Sequence, residues 1–104
     1  MSRELIYLPA ASQEFLEGKD YYEELSPGAG GQRFENAFKE AIRQIKDGLV
    51  THAVAFEHFH RVNLRKFPYA LYYRLVGEKA VIVAVLYSRW RPKRIQRALG
   101  RRLV

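Results

Sequence analysis

Arg61, Arg65, Arg74, Arg89, Arg91, Lys93 and Arg94 are the residues of this chain best suited to chemistry. A guanidinium stays charged at any physiological pH and offers a fork of donors to an anion. Clustered cations of this kind have two uses. They can stabilise the phosphate of a ribonuclease transition state, or they can grip an acidic partner. Residue types alone leave both open. Tyr87 lies two residues before Arg89.

Other chemistry is poorly supplied. There is no cysteine, so neither a disulfide framework nor a thiolate is available. The serines at positions 2, 12, 26 and 88 sit in no nucleophile motif. Carboxylates fall on segments with helical spacing, where a solvated face explains them. His58 and His60 would share one face of a strand, with His52 upstream, and only Glu57 lies near enough to complete a metal shell. Structural or exposed histidines are therefore expected, with no metal and no cofactor. Among the aromatic residues, Tyr69 and Tyr73 read as packing. Trp90, held between Arg89 and Arg91, suits packing and a partner contact equally.

Charge is unevenly divided. Residues 1–60 carry six Lys/Arg against ten Asp/Glu, a net of −4, and residues 61–104 carry twelve against one, a net of +11, giving +7 for the 104 residues. One end of the molecule is thus expected to meet something anionic: nucleic acid, a nucleic-acid machine or an acidic protein. The length suits a single domain, 1–104. No apolar run reaches the ~20 residues of a membrane span, and residues 1–10 lack the pattern of a signal peptide. A cytoplasmic protein with no membrane partner is the expectation.

The cations must be positioned by a sheet. Residues 3–8 read as a short, largely buried strand, ended by Pro9. A first helix over about 10–25 places Phe15, Tyr22 and Leu25 near one face, with Gly18 allowing close approach of another element. Ser26-Pro27-Gly28-Ala29-Gly30-Gly31 is an interhelical turn, since its glycine spacing fits no phosphate-binding motif. The second helix, about 32–47, repeats Phe34, Ala37, Phe38, Ala41, Ile42 and Ile45 at i, i+3, i+4, i+7, i+8 and i+11. Gly48 caps it. Residues 49–59 form a connection of mixed periodicity. Three antiparallel strands follow at about 60–66, 69–76 and 79–87, with a bend at Phe67-Pro68 and a tight hairpin at Gly77-Glu78. The unbroken apolar run 80–86 predicts a strand buried on both faces. Across the bend, Arg65 and Arg74 are expected to approach one another. Residues 88–104 form a short basic segment in which Ile95, Leu99 and Leu103 give a weak helical stripe, either frayed or ordered against a partner. The fold class is α+β: strand, helical hairpin, then a three-stranded antiparallel meander in one sheet packed by two helices.

In this order, "LRKFPYALYYRL" and "AVIVAVLYSRWRP" resemble the RelE/ParE superfamily of bacterial type II toxins, across about residues 6–95. Asp20-Tyr21-Tyr22 and the approach to Phe34 are similar to it as well. The resemblance implies a small toxin, neutralised by a cognate antitoxin protein in a toxin–antitoxin hetero-oligomer. The RelE-like branch cleaves mRNA in the ribosome, and the ParE-like branch is associated with inhibition of DNA gyrase and with plasmid stabilisation. A ribonuclease here would rest on Arg65, Arg74, Tyr87 and Arg89. Partner binding would fall to Arg61, Arg65, Arg74, Arg89, Trp90, Arg91, Lys93 and Arg94. After Tyr87 there is no Tyr, His, Asp or Glu, and arginine cannot trade a proton near neutrality. The FPY and YYR segments also resemble the ParE-like branch more. A gyrase-directed, non-enzymatic toxin is therefore expected first, an mRNA endonuclease second, and a plain nucleic-acid-binding module third.

Overall fold

Residues 80–86 are all buried, and the rest of the chain is arranged around them. The computed structural model describes residues 2–49 and 52–102. In chain order the elements are β1 (Glu4–Tyr7), α1 (Pro9–Leu25), α2 (Gly30–Asp47), β2 (Val54–Phe56), β3 (Phe59–Asn63), β4 (Tyr69–Val76), β5 (Lys79–Tyr87) and α3 (Pro92–Gly100). The five strands form one sheet in the order β1-β5-β4-β3-β2. The meander β3-β4-β5 is antiparallel as expected, while β1 joins β5 in parallel. The helical hairpin carries the chain from β1 to β2 at the opposite edge, and the antiparallel strands then return it to β5 beside β1.

Both faces of the sheet are covered. On one face α1 and α2 bring Phe34, Phe38, Ala41 and Ile45 against Leu71, Tyr73, Ile82 and Val85. On the other, Ile95 and Leu99 of α3 pack with Phe59, Tyr72, Val83 and Leu86. The segment after residue 88 is therefore not a tail awaiting a partner. It is a helix whose two buried side chains each stabilise the fold by about 2 kcal/mol. The Leu103 expected to continue its stripe lies outside the described residues. A bidentate ion pair fastens the far end of α3: the Arg102 guanidinium meets the Glu14 carboxylate of α1 at 2.8 Å through both pairs of atoms. Arg102 also donates to the Val83 carbonyl at 3.2 Å, and the Val85 N–H donates to Glu14 at 3.0 Å.

Three expectations change at the margins. β1 is an edge strand, so Ile6 and Tyr7 are 38% and 42% exposed instead of largely buried. Leu25 leaves the packed face of α1 and is exposed, while Ala11 is buried there. A short strand, β2, lies inside the stretch read as a connection.

The two helices approach closely because glycines face them. A Cβ on Gly18 would come within 2.6 Å of the Phe34 ring, and one on Gly30 would overlap the Tyr22 carbonyl. The glycine turn between the helices has its N–H groups engaged: Gly28 donates to Glu23 Oε2 at 2.6 Å and Gly31 to Oε1 at 3.0 Å. These backbone donors hold the Glu23 carboxyl below its usual range, and they leave the turn as a plain α2 cap. Gly30→Ala forces backbone against backbone and is expected to cost about 3 kcal/mol. Gly28→Ala, at φ 86° with open space around it, costs about 1 kcal/mol of left-handed strain. Urea unfolding midpoints of the two variants should rank in that order.

Candidate functional site

The β3–β4 loop decides where the first cations go. Leu64 is buried and its N–H donates to the Tyr69 carbonyl at 2.9 Å. Phe67 turns inward, its ring 4.7 Å from Tyr22 and 5.3 Å from Phe34. With Leu64 and Phe67 committed to the core, Arg65 and Lys66 are left exposed between them. Lys66 takes φ 69°, a left-handed conformation uncommon for a residue with a Cβ.

The end of β5 meets this loop. The Ser88 N–H donates to the Pro68 carbonyl at 2.9 Å. Lys66, Phe67, Pro68, Ser88 and Arg89 surround one open concavity of about 320 Å³. On its other side Lys66 borders a larger groove of about 710 Å³, shared with Arg65 and with Arg33, Asn36, Ala37 and Glu40 of α2. Arg33, Arg65, Lys66 and Arg89 thus rim one end of the sheet. Among the described residues none of the four side chains makes a hydrogen bond or ion pair. Lys19, Lys39 and Arg43 on the helices, by contrast, all pair with carboxylates.

Tyr87 stands at the same end, its ring 5.9 Å from that of Tyr69. Burial pushes the Tyr69 and Tyr22 hydroxyls above their ordinary value, and neighbouring phenols add to this. They remain protonated donors at neutral pH and cannot serve as bases. The nearest carboxylate on the rim, Glu40, is clamped by Arg43 at 2.6 and 3.0 Å, which holds its carboxyl below the usual range. Within the described residues the rim offers four exposed cations that can bind and neutralise an anion.

The remaining cations named from the sequence are dispersed. Arg74 faces Val81 toward the far end of β4, about 16 Å along the strand from Tyr69 at ~3.3 Å per residue. The expected approach of Arg65 and Arg74 is therefore not made, because the two lie at opposite ends of one strand. Arg61 lies on the α3 face of β3, donating from Nε to Asn63 at 3.1 Å, with its guanidinium 5.8 Å from the Tyr72 ring centre. Arg91, Lys93 and Arg94 crowd the first turn of α3, which contains no acid. Cations there oppose the helix dipole, so this turn favours an incoming anion. Arg94 offsets part of that repulsion by lying 3.6 Å over the Trp90 ring. Trp90 is accordingly half-buried, serving packing and cation support together. Arg33 and Lys66 were not legible as site residues. The only signal was a cation on the polar side of α2 and another beside Arg65.

Two of the three histidines build structure at the opposite end. His52 Nε2–H donates to Gln44 at 3.1 Å, and the Tyr73 hydroxyl donates to His52 Nδ1 at 2.7 Å. His60 Nδ1–H donates to the His52 carbonyl at 2.8 Å and its ring stacks on Tyr73 at 5.0 Å. His58 is exposed in the β2–β3 turn. No group of three potential metal ligands occurs among the described residues.

The fold is that of RelE/ParE toxins. The chain superposes on the E. coli toxin RelE, solved as a mutant in the free state, with a TM-score of 0.65 and 17% identity over 99% of this chain and 100% of that one. A chain from the chromosomal ParDE toxin–antitoxin system of P. aeruginosa is similar with a TM-score of 0.58 and 16% identity, over 81% of this chain and 94% of that one. The sequence matches no protein-family profile and no curated protein. No helix among the described residues is long and apolar enough to cross a membrane.

Burial, together with nearby His60 and Arg3, pushes the His52 imidazole below its ordinary value of 6.5. The unfolded chain therefore binds this proton more readily than the folded one. Stability is full above about pH 7 and falls as the pH drops through 6.5 toward the lower folded value. Urea midpoints between pH 7.5 and 5.5 should decline accordingly, and His52→Gln should flatten the decline.

Proposed function

We propose that the protein is the toxin of a bacterial type II toxin–antitoxin system, neutralised by a cognate antitoxin, and that it acts as a ParE-like inhibitor of DNA gyrase. The RelE/ParE fold supports the class. The observation that carries the mode of action is the rim of Arg33, Arg65, Lys66 and Arg89. Their side chains make no hydrogen bond or ion pair among the described residues, and the carboxylate beside them, Glu40, is held chiefly by Arg43. Such a surface is built to hold an anionic macromolecule and to block it, as gyrase or gyrase-bound DNA would be blocked. A cytoplasmic site of action follows from that target.

A second reading keeps one specific observation. Tyr87 shares its end of the sheet with Arg65, Lys66 and Arg89, and a phenol beside guanidinium groups could assist phosphoryl transfer. A ribosome-dependent mRNA endonuclease would use these residues.

Purified protein added to gyrase should reduce supercoiling of relaxed plasmid. Arg89→Ala should weaken the inhibition roughly tenfold, the order of one lost charge-assisted contact of about 1.5 kcal/mol. Full supercoiling at large molar excess of the protein would refute the gyrase reading. New 5′ ends on a translated message after induction, abolished by Tyr87→Phe, would select the endonuclease instead.

A further inference from the structure

A separate groove, of about 240 Å³, lies where α1 passes the end of β5. Tyr21, Tyr69, Tyr87 and Trp90 border it, together with Glu14 and Glu17. The rings are set at different angles. Tyr69 stands at 75° to Tyr87 with centres 5.9 Å apart, and Tyr21 at 82° to Tyr22, 5.1 Å away. Of the two carboxylates, Glu14 is committed to Arg102 and the Val85 N–H. Glu17 is exposed and, among the described residues, makes no hydrogen bond or ion pair. Burial first, then the nearness of Tyr21, Tyr87 and Glu17, push the Tyr69 hydroxyl above its ordinary value. The phenols therefore converge on the carboxylate, and the Tyr69 hydroxyl is a donor at neutral pH. Pro68 and Ser88, the chain neighbours of Tyr69 and Tyr87, border the adjoining concavity of Lys66 and Arg89.

We propose that this groove binds a free guanine 5′-nucleotide, with the base among the aromatic rings and the phosphate at Lys66 and Arg89. Aromatic side chains take a planar base by stacking. Glu17 selects which base. Guanine presents two adjacent N–H donors, at N1 and at the N2 amino group, and one carboxylate accepts both. Adenine offers a single amino donor to the same carboxylate. Guanine O6 and N7 are acceptors, and they suit the phenol hydroxyls. A bare cation would also suit a carboxylate among rings. The surroundings oppose it: Arg94 lies 3.6 Å over Trp90, and Arg89 follows Tyr87 by two residues. A ligand with an anionic end gains from those same cations. An occupied site covers Lys66 and Arg89 and so competes with any other anion at the rim. It shares those two residues with the rim, but its chemistry does not rest on the gyrase reading.

Trp90 is the single tryptophan of the chain, so quenching of its fluorescence reports on this groove. The test titrates that quenching, with calorimetry as a second measure. The ligands are GMP, AMP, guanosine, arginine and a short single-stranded RNA with an internal guanine. The protein variants are Glu17→Gln and Arg89→Gln, with Glu24→Gln making the first change elsewhere on α1. All three positions are exposed, and circular dichroism checks that each variant folds. GMP is expected to bind at least fivefold tighter than AMP and at least fivefold tighter than guanosine. Glu17→Gln should erase the preference over AMP, and Arg89→Gln the preference over guanosine. Glu24→Gln should alter neither by more than twofold. Neither saturable quenching nor heat with GMP, or equal binding of GMP and AMP, would overturn the proposal. Arginine binding tighter than GMP, and lost in Glu17→Gln, would overturn it in favour of a cation site. The RNA binding tighter than GMP would overturn it in favour of a strand. GMP binding by a protein inert toward gyrase and message would uphold the site and remove the toxin reading, so the two failures are separable.

Discussion

The structure depends on one irregularity in the β4–β5 ladder. Ala84 stands opposite Tyr72, but Ile82 stands opposite Tyr73, so Val83 is an extra residue on β5. An insertion of this kind reverses the alternation of faces beyond it. Ala80 and Ile82 point to the helical hairpin, Val83 and Ala84 both point to α3, and Val85 returns to the hairpin. Without the extra residue Tyr87 would turn to the α3 face, away from Tyr69. The irregularity also coincides with the point where β1 stops covering β5, since Leu8 makes the last β1-side bond, to Ile82. Beyond it, Glu14 and Arg102 take the Val85 N–H and the Val83 carbonyl. One bulge thus sets the direction of Tyr87–Arg89, and the ion pair that closes its edge also fastens α3.

Charge follows the same division. The acids of the first sixty residues mostly have work within the fold: Glu35 meets Lys19 and Lys39, Glu40 and Asp47 meet Arg43, Glu23 caps α2 and Glu14 holds Arg102. The second half has a single acid, Glu78, at the β4–β5 hairpin. Cations placed on the β3–β4 loop, after β5 and in the first turn of α3 therefore raise a positive potential that Glu40, beside Arg65, relieves only in part. The fold tolerates this because the loop is pinned by apolar contacts, through Leu64 and Phe67, and not by ion pairs.

The helical pattern of Phe34 to Ile45 and the unbroken run 80–86 were legible because each obeys one period over many residues. Gly18 was legible as a point of close approach for the same reason, lying opposite that pattern. β2 was not, since three residues are too few to show alternation. The bulge was hidden within a run that is apolar at every position, where parity leaves no trace. α3 read as a tail because two buried side chains among seven basic residues give a weak stripe, and only the sheet face left bare by the hairpin makes their burial favourable. Of the cations on the rim, Arg65 and Arg89 were singled out by their place beside the strands. The distance between Arg65 and Arg74 was misjudged because Asn63 pairs with Ala70 and His60 with Tyr73, a register that leaves Arg65 in the loop before β4 and carries Arg74 toward the other end of the strand. Arg33 and Lys66 were missed because the groove joining them exists only once α2 lies against the loop.

What unites these features is a set of cations held by an apolar scaffold at one end of the sheet, none of them tied up in a hydrogen bond or ion pair among the described residues. Its biological weight is read most directly by growth of E. coli after induction of the wild-type chain and of Arg65→Gln/Arg89→Gln, with equal folded protein verified in both. Arrest by the wild type and relief in the double variant is the expected result. Arrest of equal depth in both, or unimpeded growth with the wild type, would contradict the assignment of the rim as the working surface.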